Sequence, residues 1–231
     1  MNFLQIQSAV ADSLSLANTV DGATEVEMNL LDMAVKGGWI MIVLAILLVV
    51  ALYIFFERIY VIRKSSKLDD SFMNRIKDYI VEGKIDSALK ICEKSQSPSA
   101  RMIEKGISRL GRPMSDVLVA IENVGNIETA KLEKGFTMLA SISGGAPMIG
   151  FFGTVTGMIR AFYDMANAGN NVDITILSGG IYEAMITTVG GLAVGIIAYF
   201  AHNYLVGRVN KAVQNMETTT MEFLDILNEP A

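Results

Sequence analysis

Glu183 is the one carboxylate in the apolar run from Leu177 to Leu205. An ionisable group in such a run is costly and usually faces a bundle interior or a water-filled cavity, so Glu183 is a candidate proton carrier. The plainer alternative is a position close enough to the outer interface for simple solvation. Thr187 lies four residues on, which places it on the same helical face as Glu183, Gly180 and Gly191. Thr188, five residues on, falls at the edge of that face. An earlier uncharged run, Gly135 to Ile159, adds Thr154 and Thr156. Each hydroxyl alone can satisfy itself on a carbonyl one turn back, but several of them beside a carboxyl describe a narrow, slightly polar conduit. A proton pathway also needs a titratable group deep in the membrane. Either Glu183 relays the proton itself, or another chain supplies the carboxylate.

Other chemistries are excluded. Cys92 and His202 are the only cysteine and the only histidine, so neither a cysteine cluster nor a paired-histidine metal motif is possible. No phosphate loop, nucleophile elbow or metal constellation is present. No catalytic residue, metal, enzymatic activity or nucleic-acid partner is therefore expected.

The residues around the hydroxyls are small. Ala146, Gly150, Gly153, Thr154 and Gly157 recur every one to four positions, and Gly153–Gly157 and Gly191–Gly195 are both GxxxG patterns. Such stripes let helix backbones approach in lipid, where packing rather than hydrophobicity drives association. Pro147 removes one backbone hydrogen bond and is expected to kink its helix, leaving a carbonyl for water or a neighbouring helix.

The elements that carry these residues are membrane spans. The chain of 231 residues is 52% hydrophobic, with a mean hydropathy of +0.41, as in chains with several spans. Trp39 to Phe56 is eighteen uncharged residues, roughly 27 Å of helix and close to the hydrocarbon thickness. Further spans are expected at about Phe136–Phe162 and Leu177–Leu205. Lys and Arg near the span ends orient them: "ERIYVIRKSSK" follows the first, Lys131 and Lys134 precede the second, and Arg208 and Lys211 follow the third. The connection "DMANAGNNVD" has neither Lys nor Arg, which puts it and the acidic N-terminus outside. Arg160, near the outer end of the second span, is read as snorkelling or as facing a partner carboxylate.

The inner segment is helical in period, with Phe72, Ile76, Ile80, Ile85, Ala88, Leu89 and Cys92 recurring around a break at Gly83. A helix starts after Pro98 and ends at Gly111. Another begins near Ser115, with Asp116 in its first turn, and is expected to run on into the second span. "GRVNKAVQNMETTTMEFLDIL" should continue the third span as an amphipathic helix. The N-terminus lacks the basic start of a secretory signal and is expected to be retained. The prediction is an all-α membrane protein with three transmembrane helices extended by cytoplasmic helices. Its layout is a periplasmic N-terminal segment with an amphipathic helix (1–36), transmembrane helices (37–60, 135–163, 176–206), a cytoplasmic helical segment (61–134), a periplasmic loop (164–175) and a cytoplasmic C-terminal helix (207–231).

"APMIGFFGTVTGM" (146–158) followed by "GGIYEAMITTVGGLAVGI" (179–196) resembles the paired signature of the ExbB/TolQ/MotA proton-channel family, most closely its ExbB/TolQ branch. "KGGWIMIVLAILLVVALYIFFERIYVIRK" resembles that branch's first span with its Glu-Arg pair, and "EGKIDSALKICEKSQSPSARMIEKGISRL" its cytoplasmic helices. The resemblance implies a homopentameric ring in the bacterial inner membrane around a dimer of single-span, ExbD/TolR-like partners, each carrying the proton-binding aspartate. By motif position Thr154 and Thr188 match lumen-facing threonines, Glu183 the acidic residue of span three, and Pro147 the motif proline. Protons would be the coupling ion, with no other cofactor. Rotation of the pair would send work to the outer membrane through a TonB- or TolA-like protein. Ile197 departs from the branch, which commonly has a proline there. The alternatives are a MotA-like stator subunit and a passive membrane scaffold.

Overall fold

A computed structural model describes residues 37–65, 71–95, 97–167 and 174–228. The expected N-terminal amphipathic helix, and residues 168–173 of the expected outer loop, lie outside the described residues. Among the described residues seven helices follow in order: α1 (Gly38–Ser65), α2 (Phe72–Val81), α3 (Ile85–Lys94), α4 (Pro98–Ile107), α5 (Met114–Leu132), α6 (Phe136–Asn167) and α7 (Ile174–Asn228). Among the described residues there is no strand.

α1 is apolar all round, yet it buries only a stripe of Ile40, Leu44, Ala51, Ile54, Arg58 and Ile62. Ile42, Ile46, Val49, Tyr53 and Phe56 stand exposed. A helix with apolar groups on every side needs a core or a bilayer around it, and here most of that surface meets no protein. Among the described residues three stretches, one in α1, one reaching from α5 through α6 and one in α7, are long and apolar enough to cross a membrane.

α7 has 55 residues, about 80 Å of helix, and so reaches far beyond a hydrocarbon layer of about 30 Å. It runs unbroken through Ile197. Toward its start it packs on α6 and α1 in a cluster that includes Leu44, Leu139, Ala146, Val194, Ala198 and Leu205. Toward its end Met216 and Phe223 join Phe72, Ile76, Cys92, Ile103 and Ile121 in a second cluster built by α2 to α5. Ser97 caps α4 by accepting from the Ala100 amide at 3.2 Å, with Pro98 at the first helical position.

The expected run from α5 straight into the second span is interrupted. Gly135 has φ +88°, a left-handed conformation that glycine adopts without strain, and it ends one helix at Leu132 and starts the next at Phe136. The turn is held by Glu133 O, which accepts from the Phe136 amide at 3.0 Å.

Candidate functional site

α6 and α7 cross as antiparallel neighbours in a register read from what a methyl group at each glycine would meet. Gly180 faces Ala161, Gly157 faces Ala184, Gly153 faces Thr187, Gly191 faces Gly150 and Gly195 faces Pro147. At the centre of the crossing backbone meets backbone: a Cβ on Gly191 would lie 2.6 Å from Ala146 O and 2.8 Å from Gly150 Cα. The two GxxxG motifs therefore do not meet each other. Gly153 and Gly157 pack on Thr187 and Ala184, while Gly191 and Gly195 pack on the turn from Ala146 to Gly150.

Pro147 sits inside α6 without ending it. Its missing N–H frees the carbonyl of Ser143, four residues back, and that oxygen lies 3.0 Å from where a Cβ of Gly195 would stand. The neighbouring helix thus covers the freed group, and only a glycine leaves room for it.

The close crossing brings three hydroxyls around two carbonyls. Thr154 Oγ1 meets Thr188 Oγ1 directly across the seam, and lies 3.3 Å from both Gly150 O and Ala184 O. Thr188 Oγ1 is 3.3 Å from Gly150 O. Thr187 Oγ1 donates to Ala184 O at 2.7 Å and reaches Gly150 O at 3.3 Å. A hydroxyl holds one proton and two lone pairs. The Thr154–Thr188 pair can therefore be satisfied in either direction, because each orientation ends on a waiting carbonyl. Thr156 takes no part, since its hydroxyl returns to its own helix at Phe152 O and Gly153 O, 3.0 and 3.1 Å away.

Glu183 is half-buried and borders a cleft of about 110 Å³ with Gly37 to Ile40, Gly153, Thr156, Gly157, Arg160 and Thr187. At about 30 Å³ per water the cleft has room for roughly three. Glu183 Oε1 also lies against Gly38, 2.7 Å from where a Cβ would be, at the start of α1. Arg160 lines the same cleft but forms no ion pair with Glu183. The carboxyl, the cleft, the buried Thr187 and the Thr154–Thr188 pair follow one another along α7 over about one and a half turns.

A second polar group was not anticipated from the sequence. Glu128 of α5 is 4% exposed; it accepts from Arg101 of α4 at 2.7 Å and from Lys131 at 2.7 Å. Buried Arg58 of α1 donates to Lys131 O at 3.1 Å and also to Glu57. Burial pushes the Glu128 carboxyl up, but the hydrogen bonds from Lys131 and Arg101, with their charges, outweigh it and hold Glu128 below its ordinary value. The Glu128–Lys131 spacing was a readable helical pair. The link to Arg101, 27 residues earlier, leaves no local signal. It ties α4 to α5, and Arg58 through Lys131 O joins α1 to the same group.

The sequence model of the MotA/TolQ/ExbB proton channel family matches residues 94–218. A biopolymer transport protein ExbB homolog of Methanothermobacter thermautotrophicus is 30% identical over 190 residues, 82% of this chain and 67% of that one. An ExbB-like biopolymer transport protein of Synechocystis is 31% identical over 181 residues, 77% of this chain and 71% of its own length. The Tol-Pal system protein TolQ of Haemophilus influenzae is 37% identical over 106 residues, 46% of each chain.

Proposed function

The chain belongs to the MotA/TolQ/ExbB proton channel family, and on that premise we propose that it is the ExbB/TolQ-type subunit of an inner-membrane motor driven by the proton motive force. Five copies form a ring around a dimer of single-span, ExbD/TolR-like partners. Each partner brings the aspartate that takes up and releases the proton, and this chain lines the route with Glu183, Thr187, Thr188 and Thr154. Protons are the coupling ion and no further cofactor takes part. The work passes through a TonB- or TolA-like protein to outer-membrane transport or envelope maintenance. The N-terminus and the α6–α7 connection face the periplasm, with residues 61–134 and 207–231 in the cytoplasm.

The observation that carries this reading is the Thr154–Thr188 hydroxyl pair, with a carbonyl ready for either orientation and beside it a cleft, large enough for a few waters, that holds Glu183. A passive scaffold would account for the glycines but would leave the hydroxyls and the cleft without a use. Thr154→Val and Thr188→Val keep shape and remove only the hydroxyl. Both should abolish partner-dependent proton flux in proteoliposomes while the assembled complex elutes unchanged. Wild-type flux in both variants would sink the proposal.

A further inference from the structure

Four glycines among the described residues have a left-handed backbone, and they differ in what stands beside them. Gly83 (φ +71°) and Gly111 (φ +87°) have nothing within 4 Å of where a Cβ would be, and Gly135 (φ +88°) meets only the Ile54 side chain at 3.3 Å. At Gly38 (φ +67°) the space of a Cβ is already taken by Glu183, whose Oε1 lies 2.7 Å from it. A side chain at 38 and the carboxyl cannot share that space without one of them moving. We propose that Gly38 is the positioning residue for Glu183, the gap in α1 that lets the carboxyl rest over the first turn of that helix and face the cleft. The inference rests on the reading of Glu183 as part of the proton route.

The surrounding contacts decide which group would move. The start of α1 is pinned on both neighbouring helices: a Cβ on Gly37 would lie 3.1 Å from Ile186 Cγ2, one on Gly153 3.2 Å from Ile40 Cδ1, and one on Gly190 2.9 Å from Met41 Sδ. The stretch of α7 that carries Glu183 is fixed as well, since Ala184 and Thr187 pack on Gly157 and Gly153. Both backbones are held, whereas the carboxyl ends a flexible side chain. A methyl group at 38 would therefore displace the carboxyl and leave the helices in place. Its present seat suits it. Glu183 and Arg160 are the charged residues that line the cleft, and an ionisable group in an apolar span is best placed beside such a space. The first N–H groups of α1 lack intrahelical partners and form the positive end of the helix dipole, so an acidic side chain is a favourable neighbour. Two separate requirements thus meet at one position. A left-handed backbone suits glycine and is tolerated by asparagine, but the missing Cβ is a property of glycine alone. α1 has no charged side chain from Trp39 to Phe56, and it contributes to the site through its backbone.

The test is a double-mutant cycle in the full chain with its co-purifying membrane partners, read by proton flux in proteoliposomes and by melting midpoint. Gly38→Ala should lower flux by about tenfold to a hundredfold, the scale for misplacing a reacting group by an ångström. Glu183→Asp, which draws the carboxyl back by one methylene, should lower flux too. The two together should be no worse than Glu183→Asp alone, because the shortened side chain no longer needs the space. Melting should show the same coupling, with Gly38→Ala costing less in the Glu183→Asp background. Gly83→Ala carries comparable backbone strain with no neighbour, and should lower the midpoint while leaving flux unchanged. Gly38→Asn suits the left-handed backbone better and repeats the cycle should Gly38→Ala fail to assemble. Unmodified flux in Gly38→Ala, or losses that simply add in both readouts, would overturn the assignment. Absence of flux in the unmodified complex would instead sink the proton-channel reading. The melting cycle then decides the Gly38–Glu183 contact by itself, with coupling upholding it and additivity removing it.

Discussion

The α6–α7 seam and the bundle of α2 to α5 around the end of α7 are held together by opposite means. In the seam the contacts are Gly150 on Gly191, Gly157 on Ala184 and Gly195 on Pro147, so backbone meets backbone at the centre and only compact side chains flank it. In the bundle the buried groups are Phe72, Ile76, Ile103, Ile121 and Phe223, and Gly106 and Gly125 face side chains of Phe223, Ile121 and Met102 instead of backbone. The physical difference is the solvent. In lipid, hiding an apolar side chain gains little over leaving it exposed, so helices associate through close packing and hydrogen bonds. In water, each square ångström of apolar surface buried contributes about 25 cal/mol, and large side chains win. One helix carries both regimes: the buried positions of α7 include Ala184, Ile186, Thr187, Gly191 and Gly195 in the seam and Ala212, Met216 and Phe223 toward the bundle. The buried glycines of α7 lie in the seam and its buried aromatic ring lies in the bundle, in keeping with the passage from one solvent to the other. It also explains why hydroxyls can do chemistry in the seam, since closeness there leaves carbonyls within reach of Thr154 and Thr188.

The strongest way to break this contrast is to put a side chain where backbones touch. Gly191→Val would drive a methyl-bearing carbon into Ala146 O and Gly150 Cα. Neither can move as a flexible side chain would, so the cost should exceed the roughly 1–3 kcal/mol usual for overpacking. The expected result is loss of the monodisperse, detergent-solubilised species on size exclusion. Gly207, on the same helix with nothing within 4 Å, provides the contrast: Gly207→Ala should be neutral or stabilise by up to about 1 kcal/mol. Normal recovery of Gly191→Val would show that the seam is looser than its register implies.

A cut on the other side should behave as a soluble core does. Phe223 is fully buried in the bundle, and Phe223→Ala should cost about 3–5 kcal/mol there. Cys92 gives a local readout. Burial, with smaller effects from Glu104 and Glu93, pushes its thiol up to about 12, so near neutral pH it is a protonated, inert group while the bundle is closed. Alkylation of Cys92 should speed up markedly in Phe223→Ala, with the Thr154–Thr188 seam still assembled. Labelling at the unmodified rate would mean that Phe223 does not hold the bundle shut.

The two regions were unequally legible in the sequence. Unbroken apolar length shows the spans, and Gly153, Gly157, Gly191 and Gly195 show that two of them pack closely, because both signals are local. The register is not local: periodicity puts Thr187 and Glu183 on one face, but says nothing of Thr188 meeting Thr154, 34 residues away. The match of motifs to a known family marked both threonines as lumen-facing, but that they meet came only from the structure. The break at Gly135 was missed because an isolated glycine before an apolar run can sit within a helix as well as end one. Glu128 was missed for a different reason. It lies among residues that read as a solvated helix face, and its burial depends on Arg101 arriving from another helix.

Glu128 offers the finest test of the contrast, because it is a charge buried where water, not lipid, is the competing solvent. Its carboxyl is held below the ordinary value in the folded chain. On lowering the pH the unfolded chain therefore takes up this proton first, so the stabilisation is whole above the usual carboxylate range and fades as pH falls through it toward the folded value. Glu128→Gln removes that contribution and should flatten the acid limb of a stability-against-pH profile. The cost at neutral pH should be modest, about 1–2 kcal/mol, well below that of a fully buried pair. The reason is that the side chains of Arg101 and Lys131 keep 45% and 59% of their surface in water and can hydrate when the carboxylate goes. A profile that keeps its full acid slope in Glu128→Gln would move the titrating group elsewhere. A loss as large as that of Phe223→Ala would instead mean that the fastening of α1 to α4 and α5 through Arg58, Lys131 and Glu128 bears as much of the fold as the apolar core beside it.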